Sequence, residues 1–214
     1  MLSKLTPGVN FDNKVSSGYN WGVTKITTPA FSSGIGSNRA AMIMVAMSLN
    51  TATNITASLG GVAGTLVPGT DSGISSTIRT MIFQVINPPS GSQTATVSWT
   101  TSMNADVGVI TVSGVDQTTP IINGTIAAYN VNSVTTASLT VTSSPGDLTA
   151  TIGYTSDGWV TPFTNQLLKW GVDSEAAGGD VGTGLGTTTH TWTDMYSFQT
   201  EVISGANFKA SSGH

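Results

Sequence analysis

From residue 39 onward the chain alternates short runs rich in Val, Ile and Thr with clusters of Gly, Pro, Asn and Ser. The spacing is the roughly 8 to 12 residues of all-β folds, and it predicts about ten strands. In Thr94–Thr100, Ala95, Val97 and Trp99 share one face while hydroxyls take the other, as in a half-buried strand. Ala137–Val141 alternates in the same way, and Val107–Val112 and Leu148–Tyr154 continue the theme. Met81–Ile86 is apolar at nearly every position, which predicts a strand buried on both faces. Ala40–Met47 is ambiguous by composition, because Ala and Met favour helix. Its Thr-rich neighbours favour sheet, and a strand is expected there.

Turn chemistry separates these runs at Gly60-Gly61, Pro68-Gly69, Asn87–Gly91 and Pro145-Gly146-Asp147. The stretch 171–186 is rich in glycine, carries three acids and lacks aromatic residues, which predicts the longest loop of the chain. Residues 1–38 have sparse periodicity and are expected to form an arm that adds an edge strand or reaches a neighbour. Residues 39–214 show no break in composition and are expected to form one β-sandwich domain. The expected fold is therefore all-β, an antiparallel two-sheet sandwich with an extended N-terminal arm.

Composition narrows the function classes. There is no cysteine, which removes disulfides, thiol nucleophiles and Cys-based zinc sites. Only 8% of residues are charged, against about 25% in an average protein, so the polar surface must consist largely of hydroxyls and amides. The net charge is -4, and Arg79 is the only basic residue between Arg39 and Lys169. No electrostatic footprint for phosphates results, and nucleic acid is not an expected partner. The longest apolar stretch, Ala40–Leu49, is about half the roughly 20 residues of a membrane-spanning helix, so a membrane is not expected either. The first residues lack a secretory signal pattern, and synthesis in the cytoplasm is expected. The sequons at Asn54 and Asn123 are read as strand and turn chemistry.

Candidate chemistry is thin. With His190 and His214 as the two histidines, a Ser-His-Asp set would rest on His190, and no Gly-x-Ser-x-Gly elbow accompanies it. His190 lies in a strand-like run and is expected at the surface or an interface. Glutamate occurs at Glu175 and Glu201 alone, and most of the nine aspartates sit in turn contexts, so the paired carboxylates of a glycosidase are not recognisable. Asp71, Asp147, Asp157 and Asp180 read as turn residues. No catalytic set and no required cofactor are expected. The one possible metal cluster is Asp173, Glu175 and Asp180, whose oxygens in a glycine-rich loop are a weak calcium candidate. The five tryptophans read mainly as core or interface residues. Trp159, beside Asp157 and Gly158 in a loop context, is the best placed of them for stacking on a sugar ring.

The order of Leu59-Gly60-Gly61-Val62, Asn87-Pro88-Pro89-Ser90-Gly91, Gly114-Val115-Asp116-Gln117-Thr118-Thr119-Pro120 and Pro145-Gly146-Asp147-Leu148 resembles a recurrent β-sandwich module of bacteriophage virion and bacterial surface proteins. The resemblance covers about residues 40 to 155 and carries no catalytic position. It implies a jelly-roll-like fold and a structural or adhesive role. A chain of this kind looks most like a capsid decoration or cement protein on the virion surface. The expected partners are further copies of itself, as a homotrimer, and the major capsid protein. The alternative is a lectin-like, carbohydrate-binding adhesin that meets host-surface glycans through Trp159.

Overall fold

A computed structural model describes residues 8–49, 51–73, 78–129, 136–155, 160–162, 166–171, 177–182, 186–194 and 201–212. Every regular element among them is a strand, and every strand pairing is antiparallel. The chain is thus an all-β protein of stacked antiparallel sheets, the class its periodicity predicts. The first half holds β1 (Asn10–Ser16), β2 (Asn20–Thr27), β3 (Phe31–Ser33), β4 (Ala40–Met47), β5 (Thr56–Leu59), β6 (Val62–Ala63), β7 (Thr65–Leu66), β8 (Arg79–Ile86), β9 (Gly91–Gln93) and β10 (Ala95–Ser113).

β10, at 19 residues, is the spine of this half. β4 and β5 follow one another along one of its edges, and β1 and β2 along the other; Ala105, for example, is paired with Met47 on one side and Asn20 on the other. Residues 10–27 are therefore built into the sheet as its outer strands.

The pairings also force the sheet to fold over. Val62 and Leu66 are four residues apart, a reach of at most about 14 Å. Their counterparts on β10, traced through Val62–Leu59–Ala95 and Leu66–Phe83–Ile43–Val109, are fourteen residues apart. A straight strand of that length spans roughly 46 Å. β10 must turn back on itself, and it does so where Thr100, Thr101 and Ser102 are exposed and the β2 register slips between Ser98 and Ala105. With β6 and β7 separated by Gly64 alone, the two ends of the sheet join and enclose its inner face.

That enclosed face is the odd-numbered one. Ala41, Ile43, Val45 and Met47 of β4 meet Met81, Phe83, Val85, Ala95, Val97, Trp99, Val107 and Val109 there, with Phe31 of β3 among them. The even-numbered face is buried as well. Met42, Met44, Ile82, Ile110 and Val112 pack on a second sheet, which is why Ala40–Met47 is apolar at every position and is a strand despite its helix-favouring composition.

The second half supplies β11 (Ile121–Tyr129), β12 (Thr136–Val141), β13 (Leu148–Thr155), β14 (Val160–Pro162), β15 (Gln166–Gly171), β16 (Ala177–Gly182), β17 (Thr188–Asp194) and β18 (Glu201–Phe208). They form a five-stranded sheet, β11-β18-β13-β16-β15, and a three-stranded one, β12-β17-β14. The five-stranded sheet lies in the middle of the stack. Leu148, Ala150, Ile152, Val202, Ala206 and Phe208 face the first half. On its far side, Ile203 meets Ala137, Leu139, Val141 and Trp192 of the three-stranded sheet. The layering therefore extends beyond two sheets.

Two expectations are corrected here. The stretch 171–186 is not one long loop, because Ala177–Gly182 is a strand paired on both edges, with β13 and β15. Glycine leaves the backbone hydrogen bonds of a sheet intact while hiding the side-chain alternation that marks a strand in sequence. His190 is not at the surface: it is fully buried between sheets, with Nε2 2.9 Å from Thr149 Oγ1 and Nδ1 3.4 Å from Thr151 Oγ1. Threonines on β13 supply the polar partners that let an imidazole sit in that layer.

Close packing of the outer layers depends on Gly205 of β18. A Cβ there would lie 2.7 Å from Val141 Cγ2 and 2.9 Å from Leu139 Cδ2. Gly205→Val is expected to lower stability by about 1–3 kcal/mol through overpacking. Urea unfolding should show the midpoint falling with the slope unchanged; an unaltered midpoint would contradict this packing.

Candidate functional site

The most elaborate polar arrangement lies where the chain leaves β10 and where β18 ends. Two of the turn motifs read in the sequence, Gly114–Pro120 and Pro145–Leu148, converge there. In Gly114–Pro120, Asp116 Oδ1 accepts the backbone N–H groups of Thr118 at 2.8 Å and Thr119 at 2.9 Å, and its Oδ2 accepts Lys209 Nζ at 3.0 Å. In the turn before β13, Asp147 Oδ2 accepts Ser144 N–H and Asn207 Nδ2, both at 2.9 Å, and Oδ1 accepts Ala210 N–H at 2.7 Å. Backbone bonds from Asp116 to Lys209 and from Ser211 to Gly114 complete the clamp. The last residues of β18 and those just beyond it are held between the two turns.

Two open clefts flank this clamp. One, of about 420 Å³, is lined by Asn38, Asp116, Gln117, Thr118 and Ser211. The other, of about 310 Å³, is lined by Asn123, Thr142, Asp147, Lys209 and Ser211 among others. Both carboxylate oxygens of Asp116 and of Asp147 already accept internal hydrogen bonds. The first cleft presents amides, hydroxyls and backbone, and the second adds Ile122, Pro145 and Ala210.

Two aspartates are held in ion pairs, Asp116 with Lys209 and Asp71 with Arg79. The Thr119 N–H, with Lys209 and the Thr118 N–H, holds the Asp116 carboxyl well below the usual range, at about 2. Burial pushes Asp71 up, but the guanidinium of Arg79 and the N–H of Gly73 outweigh it, and the net shift is downward. Arg79 Nε donates to Asp71 Oδ1 at 2.7 Å, and its Nη1 reaches the Ala52 carbonyl at the same distance. Asp71 and Asp147 both serve turns, as their sequence contexts suggest, and each also braces a distant segment.

The aromatic residues divide clearly. Trp99 and Trp192 are core residues, and Trp192 Nε1 donates to Thr151 Oγ1 at 3.2 Å. Trp21, on β2, is 61% exposed. Its ring meets Tyr19 edge to face, with centroids 5.1 Å apart, and Tyr19 lies parallel to buried Tyr154, their hydroxyls 2.9 Å apart.

Trp159 and Asp157, the sugar-stacking candidates, lie outside the described residues, as do Asp173 and Glu175 of the calcium candidate. Asp180 stands in the middle of β16, opposite Thr151 and Leu168, so it belongs to a paired strand rather than to a loop or turn. Among the described residues no three His, Asp or Glu gather as a metal site, and no helix is long and apolar enough to cross a membrane. Sequence reading missed the exposure of Trp21, for which the available signal was an aromatic pair two residues apart in a polar segment. It also missed the meeting of Asp116 and Asp147 at one strand end, which only the topology creates.

No family model matches the chain, and no curated protein does. Solved structures are similar to it only distantly. A conserved protein of unknown function from Pseudomonas aeruginosa PAO1 is 10% identical with a TM-score of 0.32, over 88% of this chain and 84% of that one. A chain of the infectious bursal disease virus Gx strain is 11% identical with a TM-score of 0.31, over 95% of this chain and 42% of that one. Dimeric latent PorU from Porphyromonas gingivalis is 10% identical with a TM-score of 0.32, over 92% of this chain and 22% of that one. This chain spans less than half the length of the latter two, and TM-scores this low do not imply a common fold.

The depressed value at Asp116 makes the clamp acid-sensitive. An unfolded aspartate titrates near about 3.9, so the stabilisation is complete above that pH and disappears as the pH falls through about 2. Urea midpoints measured from pH 5 down to pH 2 should fall more steeply for the wild type than for Asp116→Asn. Parallel curves would show that the carboxylate is not the clamp.

Proposed function

We propose that this chain is a non-enzymatic virion structural protein, a capsid decoration protein that associates with itself and covers a capsid surface. The observation that carries the reading is an apolar rim at the seam where the first sheet closes. Val62 on β6 and Leu66 on β7 flank the Gly64 link, and Ile86 ends β8, the strand paired with β7; all three are exposed, Ile86 on the opposite face of the sheet from Leu66. Ile35, in the segment before β4, is 90% exposed. Exposed apolar side chains along a sheet seam are candidates for a contact surface.

The surrounding surface favours the same use. Cross-strand hydroxyl pairs, Thr27 with Thr96 at 3.2 Å, Thr56 with Ser98 at 3.0 Å and Thr53 with Thr100 at 2.7 Å, satisfy one another on the outer face of the first half. Covering paired hydroxyls costs far less than covering isolated charges. The resemblance of the turn motifs to virion modules supplies the setting: a homotrimer on the major capsid protein, at the virion surface.

The test is solution mass by light scattering behind a sizing column, over a wide concentration range, for the wild type and for the double variant Leu66→Lys with Ile86→Lys. The wild type is expected to hold a trimer mass, and the double variant to dissociate while keeping its β circular-dichroism signal. A wild type that is monomeric at every concentration would overturn the reading.

A further inference from the structure

We propose that Trp21, with Ser102 and Asn104 at the adjoining Gly22, is a platform for a neutral sugar, receiving the C–H face of a pyranose ring on its indole. This site is separate from the apolar rim and does not depend on the decoration role. An indole exposed to the degree of Trp21 usually moves among rotamers, and a ligand that needs one orientation must then bear the entropy of fixing it. Here the orientation is fixed in advance. Tyr19 holds the indole edge to face at 77°, and Tyr19 is itself fixed by parallel stacking at 5° and a 2.9 Å hydroxyl contact on Tyr154. Tyr154 is a core residue at 1% exposure, so the ring series runs from the interior to the surface.

Polar groups stand at Gly22, the next residue along β2. The N–H of Gly22 donates to Asn104 Oδ1 at 3.0 Å, which sets the amide with Nδ2 as its donor for an incoming hydroxyl. At Gly22 itself a side chain would meet nothing nearer than Ser102 Oγ at 3.8 Å, so the backbone beside Trp21 is open, with a hydroxyl at its margin. An exposed aromatic face with an amide and a hydroxyl at the adjoining residue matches the two surfaces of a sugar, its apolar C–H face and its hydroxyl edge. Lys25 is the single charged residue between Ser16 and Thr28, and no carboxylate lies in that span, which favours a neutral ring over a cationic one.

The experiment uses the full chain against immobilised and free neutral oligosaccharides of glucose, galactose, mannose and N-acetylglucosamine, with binding followed by calorimetry. Wild type, Trp21→Ala, Trp21→Tyr and Asn104→Ala are compared, and the solution mass and melting temperature of each are recorded. The proposal expects at least one of these sugars to bind. It also expects Trp21→Ala to weaken binding by about tenfold or more, Trp21→Tyr to restore part of it, and Asn104→Ala to weaken it less. Mass and melting should stay as in the wild type. Failure of every sugar to bind, or equal affinity of Trp21→Ala and wild type, would overturn it. So would a change of oligomer mass in Trp21→Ala without a change in sugar affinity, which would make the ring a subunit contact. Because Trp21 lies off the β6–β8 rim, loss of sugar binding with an intact trimer separates this proposal from the assembly reading.

Discussion

The architecture depends on one strand serving four partners while turning back on itself. β10 carries β4 and β5 along one edge and β1 and β2 along the other, and the single-residue link at Gly64 can be made only if its two ends approach. That constraint buries the odd-numbered face of the first sheet without a covering layer of its own. It also leaves the even-numbered face free to receive the second half. β4 is the element that experiences both consequences, and all eight of its residues are buried.

The two halves are joined by more than apolar contact. Thr80 and Ser204 hydroxyls meet at 2.7 Å across the buried interface, and Ser204 Oγ continues to the Thr70 carbonyl at 2.6 Å. Such a bond is directional, so it fixes how the sheets sit on one another where apolar packing alone would tolerate sliding. The Asp116 and Asp147 clamp does the same at the edge of the stack. Asp71, Asp116 and Asp147 stabilise turns and strand ends, while paired hydroxyls line the outer face of the first half. That division is the physical basis for reading it as an assembling surface protein.

Much of the fold was legible in the residues because alternation and turn chemistry act locally. The faces of Ala95–Trp99 and Ala137–Val141, the burial of Met81–Ile86 on both faces except at Ile86, which is exposed, and the left-handed glycines of the Gly60-Gly61 turn, at φ 57° and 83°, follow from nearest neighbours in sequence. The strand Ala177–Gly182 was hidden because glycine has no side chain to alternate. The burial of His190 was hidden because its partners, Thr149 and Thr151, lie some forty residues away and reach it only through sheet stacking. The site was less legible than the fold for the same reason. Nothing near Trp21 in the chain announces that Tyr154 will brace it, and nothing near Asp116 announces Lys209.

The central claim is that this chain works by covering a protein shell. Its most direct test is co-sedimentation of the purified protein with capsids assembled without it. The account predicts saturable binding at a fixed ratio to capsid subunits, together with greater resistance of the decorated shells to heat. Absence of binding by a protein that retains its oligomer mass would contradict it.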